Sequence, residues 1–205
     1  KNLTFSQADT ICLFMDGKKL GKWSLNSSIW SPKESSIWSD TINTHLFKSF
    51  YPFNDRCTFD SIYSSSLANQ DGTLDNLKKF DLLIASKSTS YSESKGIVSF
   101  TGDDAFKHLL SLIRINIVAN GEFTNATIDS IKLSSTRLFS RLIYSFDSNI
   151  SSIDTSNDVN EFILSPAHNM GGISKEYYII TTPKATDAEI KLSITYSTTL
   201  VNKVE

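Results

Sequence analysis

The pattern that most restricts this chain is alternation. Ile113, Ile115 and Ile117 are separated by Arg114 and Asn116, and successive side chains of a strand point to opposite faces. Short runs of this kind recur along the whole sequence. Residues 3–5 and 10–15 read as strands. Asp16-Gly17 reads as a turn, because glycine takes positive φ at little cost, and 18–25 returns as the hairpin partner. Further strands are predicted at 44–51 (ended by Pro52), 82–85, 97–100, 142–146, 161–164, 177–181 and 190–196. The stretch 123–133 alternates through Phe123, Ala126, Ile128, Ile131 and Leu133, with one slip that a β-bulge absorbs. Residues 54–79, 86–95, 148–160 and 165–174 read as polar loops. Around 105–118, Phe106, Leu109, Leu110, Ile113 and Ile117 also fit a helical stripe. The alternation after Ile113 favours a turn or bulge over 103–111 that runs into a strand at 112–118. Many short strands, frequent turn residues and no long helical period predict an all-β sandwich. Asn120-Gly121 is the clearest break, and it suggests an N-terminal domain at 1–119 and a second, shorter one at 120–205. Leu82, Leu83, Phe106, Leu110, Ile113 and Ile115 are the expected core contributors.

Composition agrees. Apolar residues make up 40% and charged residues 20% of 205 positions, enough for a core and unlike a disordered chain. Abundant Ser, Thr, Ile and aromatic residues suit a pleated surface with one wet face. The net charge of -2 comes without a basic block, which argues against nucleic acid as a partner. No window approaches the ~20 apolar residues of a membrane-spanning helix. Cys12 and Cys57 are too few for a disulfide framework or a zinc site, and free buried thiols are expected.

Residues with chemical potential are sparse. No Gly-x-Ser-x-Gly elbow, Gly-rich phosphate loop or His-Glu-x-x-His occurs. Asp154-x-Ser156-x-Asp158-x-Asn160 has the spacing of the first half of a calcium loop. Val159 stands where that loop needs glycine, and Ser165 where it needs a bidentate glutamate. His45, His108 and His168 have no second histidine at ligand spacing, and His108 beside Leu109 reads as a hydrogen-bonded structural residue. Asp103-Asp104 reads as a solvated turn rather than as half of a glycosidase pair. Trp23, Trp30 and Trp38 could form a sugar-stacking platform if exposed and coplanar, but filling a sandwich core is the better account. Ser27-Ser28-Ile29-Trp30-Ser31 and Ser35-Ser36-Ile37-Trp38-Ser39 read as two strand pieces around a turn at Pro32-Lys33-Glu34. No catalytic, cofactor-binding or metal-ligating residue is assigned, and no enzyme activity is expected.

The order of several segments carries a resemblance. Phe50-Tyr51-Pro52-Phe53 is followed by Asp81-Leu82-Leu83-Ile84-Ala85, and then by Phe106, His108, Leu110 and Ile113. Weaker echoes follow at Ile128-Asp129-Ser130-Ile131-Lys132-Leu133 and at Tyr177-Tyr178-Ile179-Ile180-Thr181-Thr182-Pro183. Read together, the chain resembles the fimbrillin family of Bacteroidales, subunits and accessory adhesins of surface fimbriae. The resemblance implies two transthyretin-like Greek-key β-sandwich domains. It also implies export as a lipoprotein to the outer membrane, with the anchor upstream of Lys1 as the sole membrane link. Its expected partners are other fimbrial subunits, met by strand exchange, and a host or bacterial surface protein or glycan. A surface glycan-binding lipoprotein with no polymer role is the alternative. The sequence departs from the family pattern where Thr101-Gly102-Asp103-Asp104 interrupts a usually continuous strand, and in lacking the aromatic strand that usually closes the second domain. In this family an N-terminal strand is removed before assembly, so Asn2–Phe5 with Ile11–Phe14 is expected to be an edge or exchangeable strand.

Overall fold

The computed structural model describes residues 4–33, 38–165, 168–169, 174–183 and 189–198. The chain forms two compact units that exchange segments. The first comprises Lys1–Ser65, Lys78–Leu110 and Leu142–Ile153, and the second Ser66–Leu77, Ser111–Arg141 and Asp154–Glu205. The Asn120-Gly121 break lies inside the second unit, where Gly121–Phe123 makes a 3-10 turn between two strands.

The first unit begins with β1 (Thr10–Met15), β2 (Lys18–Asn26), β3 (Ile29–Pro32), β4 (Thr44–Tyr51), β5 (Ile62–Tyr63), β6 (Leu83–Ser90) and β7 (Lys107–His108). Six of these form one antiparallel sheet in the order β3-β2-β1-β4-β6-β7. The β1–β2 hairpin turns at Asp16 and Gly17, both at positive φ. β1 lies between β2 and β4, and Ile11 to Met15 are buried. The expectation of an edge strand at Ile11–Phe14 is therefore corrected: both sides of β1 are already hydrogen-bonded. Residues 1–3 lie outside the described residues, as does most of the second Ser-Ser-Ile-Trp-Ser copy.

β8 (Ser111–Ile117) and β9 (Thr127–Ser134) belong to the second unit. The chain then returns to the first unit for β10 (Leu142–Ser145) and β11 (Ile150–Ile153), which join β5 in a three-stranded sheet. On one face of the six-stranded sheet Phe14 packs beside Phe50 and meets Phe59 at 5.5 Å and Phe146 at 6.0 Å. Burying such aromatic side chains dominates the energetics of a sandwich this size. Over the opposite face, residues 97–101 run extended without joining a ladder, and Val98 and Phe100 pack on Leu13, Met15 and Phe47. A sheet strand was expected at 97–100. The short helix α1 (Tyr91–Ser94) diverts the chain instead, held by a Ser90–Glu93 capping box and ended by Lys95 at positive φ.

Several predicted loops contain ordered structure. Residues 86–90 continue β6, paired with β4 through Thr44↔Ser90, because Ser and Thr satisfy a strand whose faces are only partly apolar. Within 54–79, Cys57, Ile62, Leu67 and Leu77 are buried. The predicted loop 148–160 likewise includes β11 and a 3-10 turn at Thr155–Asn157. Cys12 and Cys57 are buried thiols not joined in a disulfide, and burial pushes the Cys12 thiol up to about 12.

The second unit is completed by β12 (Glu161–Leu164), β13 (His168–Asn169), β14 (Lys175–Thr181) and β15 (Lys191–Ser197). β9 carries β12 and β13 along one edge and β15 along the other, while β14 pairs with β8. The stretch was expected to hold one slip, and the β9–β15 register does shift, with Thr195 opposite Ser130 and Tyr196 opposite Ile128. The far edge of β14 is met by a surrogate strand. Gly72 O accepts from Tyr178 N at 2.9 Å, and Gln70 Oε1 accepts from Ile180 N at 2.7 Å. Gly72 has φ +74, and a Cβ there would stand 2.5 Å from Leu164 Cδ2. Only glycine brings this backbone so close. Of the expected core, Leu82, Leu83, Leu110 and Ile115 are buried, whereas Phe106 and Ile113 are half-buried.

Candidate assembly edge

β15 has the pattern of a half-buried strand and the exposure of a surface one. Leu192, Ile194 and Tyr196 pair with Leu133, Ile131 and Ile128 of β9 and so share their face of the sheet. Those β9 partners are 0–2% exposed, yet Leu192, Ile194 and Tyr196 are 47%, 37% and 50% exposed. The sheet therefore extends its apolar face one strand beyond its cover. Phe123, itself 41% exposed, stands edge-on to Tyr196 at 5.4 Å. Among the described residues no strand pairs with the far edge of β15. That edge presents a row of backbone donors and acceptors beside apolar side chains, a template for another strand. Lys191 is its one charged residue.

The other sheet edges are blunter. In the first unit they are β3, four residues ending in Pro32, and β7, two residues long, in the six-stranded sheet, and β11, four residues, and β5, two residues, in the three-stranded one. Short edges and proline discourage pairing. β8 has one unpaired edge among the described residues, but its inward Ile115 is buried.

Most of the sequence-selected polar residues make contacts within their own turns and loops. Asp154 accepts from Ser156 N and Oγ, Asp158 pairs with Arg137, and Asn160 Oδ1 accepts from Arg137 N. The calcium-like spacing is thus spent on turn and loop contacts. Asp103 and Asp104 form a 3-10 turn, with Asp104 paired to Lys87. His108 donates or accepts through Nδ1 to Asp81 Oδ2 at 2.8 Å, joining two of the motifs that carried the resemblance. Asp81 is buried, and burial raises its pKa against the opposing charge and hydrogen bond of His108. The side chain of His168 lies outside the described residues. Trp23, Trp30 and Trp38 border one hollow of about 550 Å³ over the six-stranded sheet. Trp30 meets Phe5 edge-on, and Trp38 meets Phe47 and Tyr91 edge-on. All three are partly buried and pack against the core of the six-stranded sheet.

Sequence reasoning weighed His45 only as a metal ligand and gave it no partner. It is buried on β4, with Nδ1 2.6 Å from Asp16 Oδ2 and Nε2 3.4 Å from Asp40 Oδ2. The Asp16 hydrogen bond, aided by both carboxylate charges and opposed by burial, raises its pKa above the ordinary 6.5. Asp40 is lowered, chiefly by the side-chain amide of Asn43 and the N–H groups of Asn43 and Ile42. Burial alone would raise Asp16, but the Leu46 N–H and His45 lower it overall. A group with a raised folded pKa stabilises below its unfolded value, and that contribution disappears as pH rises through the folded one. The two aspartates stabilise above their unfolded value and lose the effect in acid. The melting temperature is expected to fall as pH climbs past 6.5 and through the raised value. His45→Gln should flatten that slope, and an unchanged slope would contradict the assignment.

The described residues thus form an all-β chain of two units, in which β15 presents an apolar edge. The sequence profile described as fimbrillin-like matches residues 4–205. The chain belongs to this fimbrillin-like family, which sets it among fimbrial and adhesive proteins of the cell surface. The fold is also similar to the crystal structure of a candidate cell adhesion protein from Bacteroides ovatus. That match has a TM-score of 0.59 and 15% identity, covering 94% of this chain and 77% of the other. No curated protein matches.

Proposed function

We propose that this protein is a non-enzymatic fimbrial subunit or fimbria-associated adhesin that assembles by β-strand addition along β15. A neighbour's strand hydrogen-bonds to the open edge, and its alternate side chains extend the apolar face formed by Leu192, Ile194 and Tyr196. Main-chain hydrogen bonds then give affinity and the side-chain alternation gives register. The observation that carries the reading is the exposure of those three side chains beside fully buried β9 partners. Family membership supports an exported, lipid-anchored outer-membrane protein whose partners are other fimbrial subunits, with a surface protein or glycan as the adhesive target. It also supports transthyretin-like sandwiches for the two units. Ile194→Lys should leave the fold intact, since the side chain is 37% exposed, and should abolish incorporation into fimbriae. Immunogold microscopy of cells carrying the variant reads this directly. Normal incorporation would remove β15 from the account.

A further inference from the structure

Lys48 sits where a lysine is costly. It is 8% exposed on β4, on the sheet face it shares with its register partner Phe14. Its Nζ lies 5.4 Å from the Phe59 ring centre and 5.3 Å from that of Phe146. Its polar partners are the Phe146 carbonyl at 2.6 Å and the side-chain oxygen of Asn149 at 3.4 Å. Asn149 belongs to the turn between β10 and β11, at φ 54. The same Asn149 oxygen accepts from the Tyr144 hydroxyl at 3.2 Å. An amine, an amide carbonyl and a donor aimed at that carbonyl's oxygen are thus brought together within the first unit, from positions 48, 149 and 144.

We propose that Lys48 and Asn149 become joined by an intramolecular isopeptide bond. The amine attacks Cγ of Asn149, forming a C–N bond and a tetrahedral adduct. The developing oxyanion is held by the Tyr144 hydroxyl. The proton lost by the amine passes to the departing nitrogen, the original amide C–N bond breaks, and ammonia leaves. No oxidant, reductant or further reactant is needed. Three features favour the step. A lysine desolvated by apolar walls has more of its free-amine form. Burial lowers the Lys48 pKa, opposed by the charge of Asp147. Reacting groups held at near-contact distance gain the rate advantage of an intramolecular reaction, and a fixed donor at the carbonyl oxygen stabilises the adduct. A cavity of about 440 Å³ bordered by Lys48, Tyr144 and Asn149 gives the ammonia a way out. The bond would tie β4 to the β10–β11 turn, and so one sheet of the first unit to the other.

Mass spectrometry of the denatured, purified chain tests this. The expected protein is lighter by one ammonia, and its protease digest contains one branched product joining the Lys48 and Asn149 peptides. Lys48→Met and Asn149→Ala should each restore the full mass. Tyr144→Phe keeps both reacting groups and should slow bond formation by at least about tenfold. The proposal is overturned if the wild-type chain has its full mass with both peptides recovered separately. It is equally overturned if the ammonia is lost within a linear peptide, as in succinimide formation at an asparagine. In either case Lys48 is only a non-covalent cap on the Phe146–Asn149 turn.

Discussion

Truncating Phe14 to alanine is expected to cost the first unit about 3–5 kcal/mol, a loss comparable with the whole stability of a marginal domain. Phe14 is 1% exposed, and its ring lies 6.1 Å from Phe50, 5.5 Å from Phe59 and 6.0 Å from Phe146. These neighbours come from β4, the segment before β5 and the end of β10, so the side chain joins both sheets of the unit. Collapse around the hole is limited because β1 is hydrogen-bonded on both sides. Phe14→Leu, which keeps much of the volume, should cost well under half as much. Urea denaturation should show the midpoint shifting with little change in slope. A shift worth less than about 1 kcal/mol for Phe14→Ala would show that the packing drawn around this ring is wrong.

Gln70→Ala is expected to cost about 3 kcal/mol in the second unit, through hydrogen bonds rather than volume. The side chain is 8% exposed, and its amide acts as a strand partner for β14. Nε2 donates to Leu67 O and Ile180 O, each at 2.7 Å, while Oε1 accepts from Ile180 N at 2.7 Å. Removing it strands three backbone groups together, each costing about 1–3 kcal/mol if water does not replace the partner. Amide exchange of Ile180 should accelerate in the variant more than that of Ile179. Equal protection before and after the substitution would mean that this amide does not hold β14.

Both of these residues show why some of the structure could be read in the sequence and some could not. The alternation around Ile113–Ile117, the Asp16-Gly17 hairpin and the bulge in β9 are local, and local spacing reveals them. Gln70 was invisible because it sits in a stretch with the composition of a loop, and its partner Ile180 is 110 positions away. His108 was expected to be hydrogen-bonded and partly buried, and its imidazole is about half exposed, but its partner Asp81, 27 positions upstream, was out of reach of local spacing. Lys48 stands in Phe47-Lys48-Ser49-Phe50, where a charge normally marks the wet face of a strand. β4 is instead covered on both sides. The assembly edge is the same problem in reverse. Leu192, Ile194 and Tyr196 alternate like any half-buried strand, and nothing in their spacing says that their cover is missing. The expectation of an edge at Ile11–Phe14 failed for a related reason: position in the chain does not determine position in the sheet, and β1 is interior.

The central claim is that the edge of β15 left unpaired among the described residues becomes a paired strand in the assembled fimbria. Amide hydrogen exchange along Lys191–Ser197 tests it most directly, comparing monomer with polymer. In the monomer, the amides bonded to β9 should be protected and those on the far edge should exchange rapidly. In the polymer, the far-edge amides should become protected as well, while the rest of the sheet changes little. A polymer in which those amides still exchange at the monomer rate would contradict strand addition at β15.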